Sequence, residues 1–311
     1  MAEKNLFRSL MLELAEFCQV RILTYCIMSN HFHILLEVPK PPEQLPNAEE
    51  TFEALGRLSS PQNIGGLRQQ LERIRESQDP DAESRWLGQF HARRWNLSKF
   101  MQALKQRFSA NYNRKTKRHG TLWEDRFKSV LVEGDGHALV TMAAYIDLNP
   151  VRARIVQDPK DYLWSGYGEA VAGKQGAQAG LQRVVRALLR GDPDTATESL
   201  EAYRQHLFVE GNEEGEAISE GGETVRGCLS RKAVLRVLAE RGKIPTRDYL
   251  RCRVRYFCDG AVFGSRKYVE SIFQQCRERF GPRRTTGARR MLGLAEPELF
   301  TVRALRINVF C

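Results

Sequence analysis

At 311 residues, with a formal charge of +10 and an isoelectric point near 9.4, the chain can bury a full core, has room for two domains and favours a polyanionic partner. No window reaches the length of a membrane span and the opening MAEKNLFRSL is too charged for a signal peptide, so a cytoplasmic protein with no membrane partner is expected. The seven cysteines contain no CxxC pair, which leaves neither a zinc ribbon nor a disulfide framework and predicts reduced, largely buried thiols.

Residues 3–18 read as an amphipathic helix, with Leu6, Leu10, Leu14 and Phe17 on one stripe. Arg21 to Met28 reads as a strand, and Ser29-Asn30 as a tight turn into a second strand, His31 to Val38. Alternation places His31 and His33 on one face of that strand. Phe32, Ile34, Leu36 and Val38 take the other, which is expected to be the buried side. Two imidazoles on one face are half of a divalent-metal site, although histidines on an apolar strand also occur for structural reasons. Residues 40–63 are loop-like, with a turn of helix near Glu49–Leu58. Helices over Gly66–Ser77 and Glu83–Arg94 complete an insertion of about residues 40–94.

From Trp95 an apolar stripe of Leu97, Met101, Leu104 and Phe108 predicts a helix capped by Asn96 or Ser98. Between His91 and Lys128 stand eleven Lys or Arg and two acidic residues, Glu124 and Asp125. That imbalance favours nucleic-acid contact through Lys99, Lys105, Arg107, Arg114, Lys115, Lys117, Arg118, Arg126 and Lys128, with Tyr112 able to stack on unpaired bases, over a merely solvated helix face followed by a basic turn. Arg126 to Glu133 reads as a strand. Asp135 to Asn149 reads as a helix capped by Asp135 and stopped by Pro150. Tyr145 and Asn149 lie one turn apart, a phenol beside an amide oxygen, which suits a nucleophile next to a metal ligand, although an ordinary amphipathic helix with a tyrosine at its rim and an asparagine at its C-terminus reads the same. Arg152 and Arg154 continue the basic surface.

Gly166 to Gly180 reads as a linker, and Leu181–Leu189 and Thr195–Leu207 as helices. Residues 191–223 carry ten acidic side chains and one arginine, Arg204, and are expected to stand away from DNA, with 211–224 disordered. Residues 225–311 hold twenty Lys or Arg against seven acidic residues. Helices over Ser230–Arg241 and Arg266–Arg279, the second entered through Gly264-Ser265, would fit a helix-turn-helix.

Three segments in order carry a resemblance. MSNHFHILLEVP resembles the HUH motif, GTLWEDRFKSVLVE is similar to the segment that follows it, and YIDLNPVRA resembles the tyrosine helix of the REP-associated tyrosine transposases, a single-tyrosine HUH family. The likeness spans about residues 5–165. It implies an α+β chain whose catalytic domain, residues 1–165, has the ferredoxin-like βαββαβ fold. A 166–224 linker region and a basic 225–311 domain would follow. The family's first strand has no counterpart before residue 5: the start lies upstream, the copy is decayed, or another segment fills the gap. The implied activity is metal-dependent nicking and rejoining of single-stranded or hairpin DNA, by a monomer or homodimer. Tyr145 would form a 5′-phosphotyrosine, and His31, His33 and Asn149 would hold Mg²⁺ or Mn²⁺. The alternatives are a DNA-binding module without chemistry, a phosphoester hydrolase (disfavoured by the scarcity of nearby carboxylates), and an RNA-binding scaffold.

Overall fold

In the computed structural model the described residues are 1–77, 79–186, 195–208, 217–218, 224–225, 255–258, 260–291 and 299–303. They form an α+β structure divided into two units, Met1–Ile22 with Leu36–Phe127, and Leu23–Leu35 with Lys128–Cys311. The expected boundary at residue 165 is not where the units part. The stretch expected to be a linker and the C-terminal segment both fall in the unit that holds Tyr145.

The first unit is helical. α1 (Ala2–Cys18) buries Phe7, Leu10, Met11, Leu14 and Phe17, and Gln19 ends it in the left-handed conformation at φ 54°. The insertion forms α2 (Ala48–Gly56), α3 (Pro61–Arg75) and α4 (Ala82–His91). Asn47 and Glu50 make a reciprocal capping box at the start of α2. α5 (Leu97–Thr116) is capped by Asn96 and buries Phe100, Met101 and Leu104. It packs on α1, where the Phe7 and Phe108 rings meet edge-on at 5.3 Å.

β1 (Arg21–Ile27) and β2 (Phe32–Glu37) form a two-stranded hairpin, and its tip, from Leu23 to Leu35, belongs to the second unit. Ser29-Asn30 is the turn, closed by Met28 N–H donating to His31 O at 2.9 Å. The outer edge of β1 is covered by the segment before α8 (Gly166–Val171). Ile27 N–H donates to Trp164 O, Tyr162 Oη donates to Ile27 O, and Cys26 bridges to Ser165. Among the described residues no third strand joins β2.

The strand expected over 126–133 shortens to β3 (Leu131–Val132), which runs parallel to β6 (Gly260–Gly264). Antiparallel β8 (Phe300–Arg303) and β7 (Arg289–Arg290) complete a sheet of order β3-β6-β8-β7. β4 (Ala217–Ile218) pairs with β5 (Thr224–Val225), where disorder is expected from composition.

The tyrosine helix is α6 (His137–Asp147), shorter than expected. Gly136, not Asp135, is its N-cap, and α7 (Asn149–Arg152) follows with Pro150 in its first turn. Every residue of α6 from Ala138 to Asp147 is buried. A helix apolar on all sides belongs inside a core, and α6 lies in one cluster with Leu35 of β2, Tyr167 of α8, Val184 of α9 (Gln175–Val185) and Tyr203 of α10 (Ala196–Phe208).

Gly264-Ser265 joins a strand, not a helix, to α12 (Arg266–Gln275), with Ser265 as its cap. A helix-turn-helix is therefore not formed at this turn. Ser230–Arg241 lies outside the described residues. A short helix, α11 (Arg255–Cys258), precedes β6. Cys18 and Cys26 are buried, reduced thiols, while Cys258 and Cys276 are partly exposed.

Candidate active site

The site is built where the hairpin tip meets α6, within one unit. The His31 and His33 rings stand edge to face at 5.2 Å, and the His33 ring meets the Tyr145 ring in the same way at 5.6 Å. The histidine face of β2 is thus the side turned to the core, contrary to expectation. Leu35, on the same face as His33, is buried, Ile34 and Leu36 are half-buried, and Val38 is exposed. The reason is α6, which brings Tyr145 against His33 and packs in one cluster with Leu35, while His31 at the tip of the same face stays exposed.

His31 is exposed, and its Nδ1 lies 2.8 Å from Asn30 Oδ1. With that oxygen as acceptor, Nδ1 carries the proton and Nε2 keeps its lone pair. Burial holds His33 down to about 4, helped by the charges of His31 and Arg152, and burial also lowers His31. Both imidazoles are therefore neutral near pH 7, the form that binds a metal.

Asn149 donates through Nδ2 to Tyr145 O at 2.9 Å and Ile146 O at 3.3 Å, satisfying carbonyls at the end of α6. Its amide nitrogen is committed to the backbone, and Oδ1 is the atom left to serve as a ligand. Among the described residues no three of His, Cys, Asp and Glu gather as a metal site. A site here would need the asparagine oxygen and groups from the substrate beside the two imidazoles.

Tyr145 is 4% exposed. Its ring stacks face to face on Phe257 at 4.2 Å and 8°, the Arg152 guanidinium lies over it at 5.1 Å, and its hydroxyl is 3.1 Å from Cys258 Sγ. Phe257 and Cys258 are not foreseeable as neighbours of the site, because they sit in a stretch marked only by basic charge. No spacing rule links them to Tyr145.

The residues expected to contact DNA fall into groups. In the first unit Lys99, Arg114, Lys115, Lys117, Arg118 and Arg126 are exposed. Asn113, Arg114, Lys117, Arg118 and His119 line one open depression at the end of α5. Lys115 pairs with Glu3 at 3.3 Å. Lys105 and Arg107 are turned to other work. Lys105 donates to Asp125 O at 2.6 Å and lies over the Trp123 ring, and Arg107 donates to Leu58 O at 3.1 Å. Burial lowers the pKa of both. Tyr112 is half-buried and stacks on Phe108. In the second unit Lys128 and Arg154 are exposed, and Arg152 is half-buried against Tyr145.

No helix among the described residues is long and apolar enough to cross a membrane. No protein-family model, curated protein or solved structure matches the chain.

Proposed function

We propose that the chain is a single-tyrosine DNA nicking and joining enzyme acting on single-stranded or hairpin DNA. The observation that carries this reading is the contact between the His33 and Tyr145 rings, which come from distant parts of the chain. The reading expects a ferredoxin-like βαββαβ unit; α1, β1, β2, α5 and β3 follow one another in the order αββαβ, while β3 pairs with β6 and not with the hairpin.

His31, His33 and Asn149 Oδ1 would hold Mg²⁺ or Mn²⁺, which supplies Lewis-acid charge to a scissile phosphate. Tyr145 Oη attacks phosphorus, the new O–P bond replaces the bond to the 3′ oxygen, and the strand leaves with a 3′-hydroxyl. Attack by that hydroxyl reverses the step and rejoins the strand without an external energy source. The Arg152 guanidinium, 5.1 Å from the centre of the Tyr145 ring, places a positive charge next to the proposed nucleophile. The hydroxyl reaches phosphorus only when the Phe257–Cys258 turn moves off it.

Tyr145→Phe keeps the ring packing and removes the nucleophile. With an end-labelled hairpin oligonucleotide and Mn²⁺, the variant is expected to give no covalent adduct on a denaturing gel while binding the hairpin as wild type does. Adducts that survive the substitution would exclude Tyr145. A second reading, a hairpin-binding protein without chemistry, is favoured by the burial of Tyr145 and the engagement of its hydroxyl by Cys258. Tight binding with no metal-dependent nicking by wild type would select it.

A further inference from the structure

The module formed by β6, α12, β7 and β8 carries a second charged surface that the tyrosine chemistry does not use. Its inner side is complete. Phe263, Val269, Phe273 and Val302 are fully buried, and Arg284 lies over both Phe273 and Phe280 while donating to Thr286 O and Gly287 O. Arg277 is likewise occupied by the carbonyls of Phe280, Gly281 and Pro282. Glu270 accepts from the N–H groups of Gly287 and Ala288, so this carboxylate is spent on the backbone.

What faces solvent is cationic. Arg266, Lys267, Arg279, Arg283, Arg289 and Arg290 are exposed, and among the described residues of the module Glu278 is the exposed acid. The register gathers part of this charge at one end of the sheet. Gly264 pairs with Phe300, and Phe300 pairs with Arg290. Strands are about 4.8 Å apart, so the backbone of the edge strand at Arg290 lies roughly 10 Å from Gly264, which leads directly into Arg266 and Lys267 at the start of α12.

We infer that this surface binds the phosphate backbone of paired nucleic acid, that is, the stem of the hairpin whose unpaired strand is offered to Tyr145. The inference rests on the DNA function proposed for Tyr145. Paired rather than unpaired strands fit because the rings of the module pack against its core. Phe263 and Phe273 are buried, and Tyr268, Phe280 and Phe300 pack on that core, so point charges are offered without a stacking platform.

The test is the triple variant Arg266→Gln, Lys267→Gln, Arg289→Gln in the full chain. A fully paired duplex, an unpaired oligonucleotide of equal length and anionic phospholipid vesicles serve as probes over a range of salt. Duplex affinity is expected to fall about tenfold or more, and the slope of log affinity against log salt to flatten by about 0.9 for each phosphate no longer neutralised. Affinity for the unpaired strand and its Tyr145 adduct yield should stay unchanged. An unaltered duplex affinity and slope would overturn the inference, as would a loss confined to vesicles. Adduct formation is scored separately, so failure here leaves the nuclease reading standing, and failure of Tyr145 leaves this one. Each substitution is on an exposed side chain; should the triple variant unfold, Arg283→Gln with Arg289→Gln must flatten the same slope.

Discussion

Two residues beyond Tyr145, the side chain of Asp147 points away from the tyrosine ring, as the 100° step of a helix requires. It is fully buried and accepts from Thr24 Oγ1 at 2.7 Å, Tyr203 Oη at 2.6 Å and Tyr167 N–H at 3.4 Å. Burial pushes its carboxyl up to about 7, against the three donors that pull it down. An acid whose folded pKa is raised binds its proton more tightly folded than unfolded, so its contribution is full below about pH 4 and lost as pH rises through 7. His206, half-buried and held down to about 4 by desolvation, slopes the other way from about 4 to 6.5. The difference between wild type and Asp147→Asn therefore isolates the carboxyl. In urea unfolding, wild type is expected to lose on the order of 3 kcal/mol relative to the variant between pH 4 and pH 8. A pH-independent difference would place the Asp147 pKa near its ordinary value. The sequence makes Asp147 visible as the one charge in an apolar run. Its partners are not visible, because Thr24 and Tyr203 reach it from distant segments.

At the scale of elements, α1, the hairpin, α2 and α5 are legible because periodicity, caps and turn residues are local signals. The pairing of β3 with β6 is not, since a two-residue strand with a partner far along the chain leaves no pattern. The glycines from 166 to 180 mislead in a more instructive way. All but Gly173, which turns the chain between the two helices at φ 82°, lie within α8 and α9, and two of them are there for close approach, not for flexibility. A Cβ on Gly166 would lie 2.8 Å from Thr24 Cα and also strike its hydroxyl, while one on Gly168 would strike Tyr162 O. Gly176, in α9, has open space. Gly166→Ala is expected to destabilise by about 1–3 kcal/mol as a forced overpacking beside the Asp147 network. Gly176→Ala should be neutral or gain up to about 1 kcal/mol through helix propensity. Equal midpoints for the two variants in thermal unfolding would show that β1 yields to the extra methyl group.

For the whole molecule the excess of +10 favours a polyanionic partner, and the DNA binding proposed here would be salt-sensitive, but the cations are not equivalent. Composition cannot tell a solvated arginine from one holding a carbonyl, which is why the interface is the least legible part of the sequence. Lys117 and Arg118 are exposed at the end of α5 and line an open depression. Arg107 is half-buried and holds Leu58 O across the helical unit. Replacing Lys117 and Arg118 by Gln should leave the unfolding midpoint unchanged and flatten the salt dependence of hairpin binding by about 0.9 for each phosphate that loses its cation. Arg107→Gln should do the reverse. It leaves a half-buried carbonyl short of its donor, costing about 1–3 kcal/mol of stability, with the salt slope preserved. The two measurements, a denaturation curve and a binding isotherm at several salt concentrations, assign each cation to the fold or to the ligand. A flattened slope for Arg107→Gln with unchanged stability would move that residue from the core of the helical unit to its nucleic-acid surface.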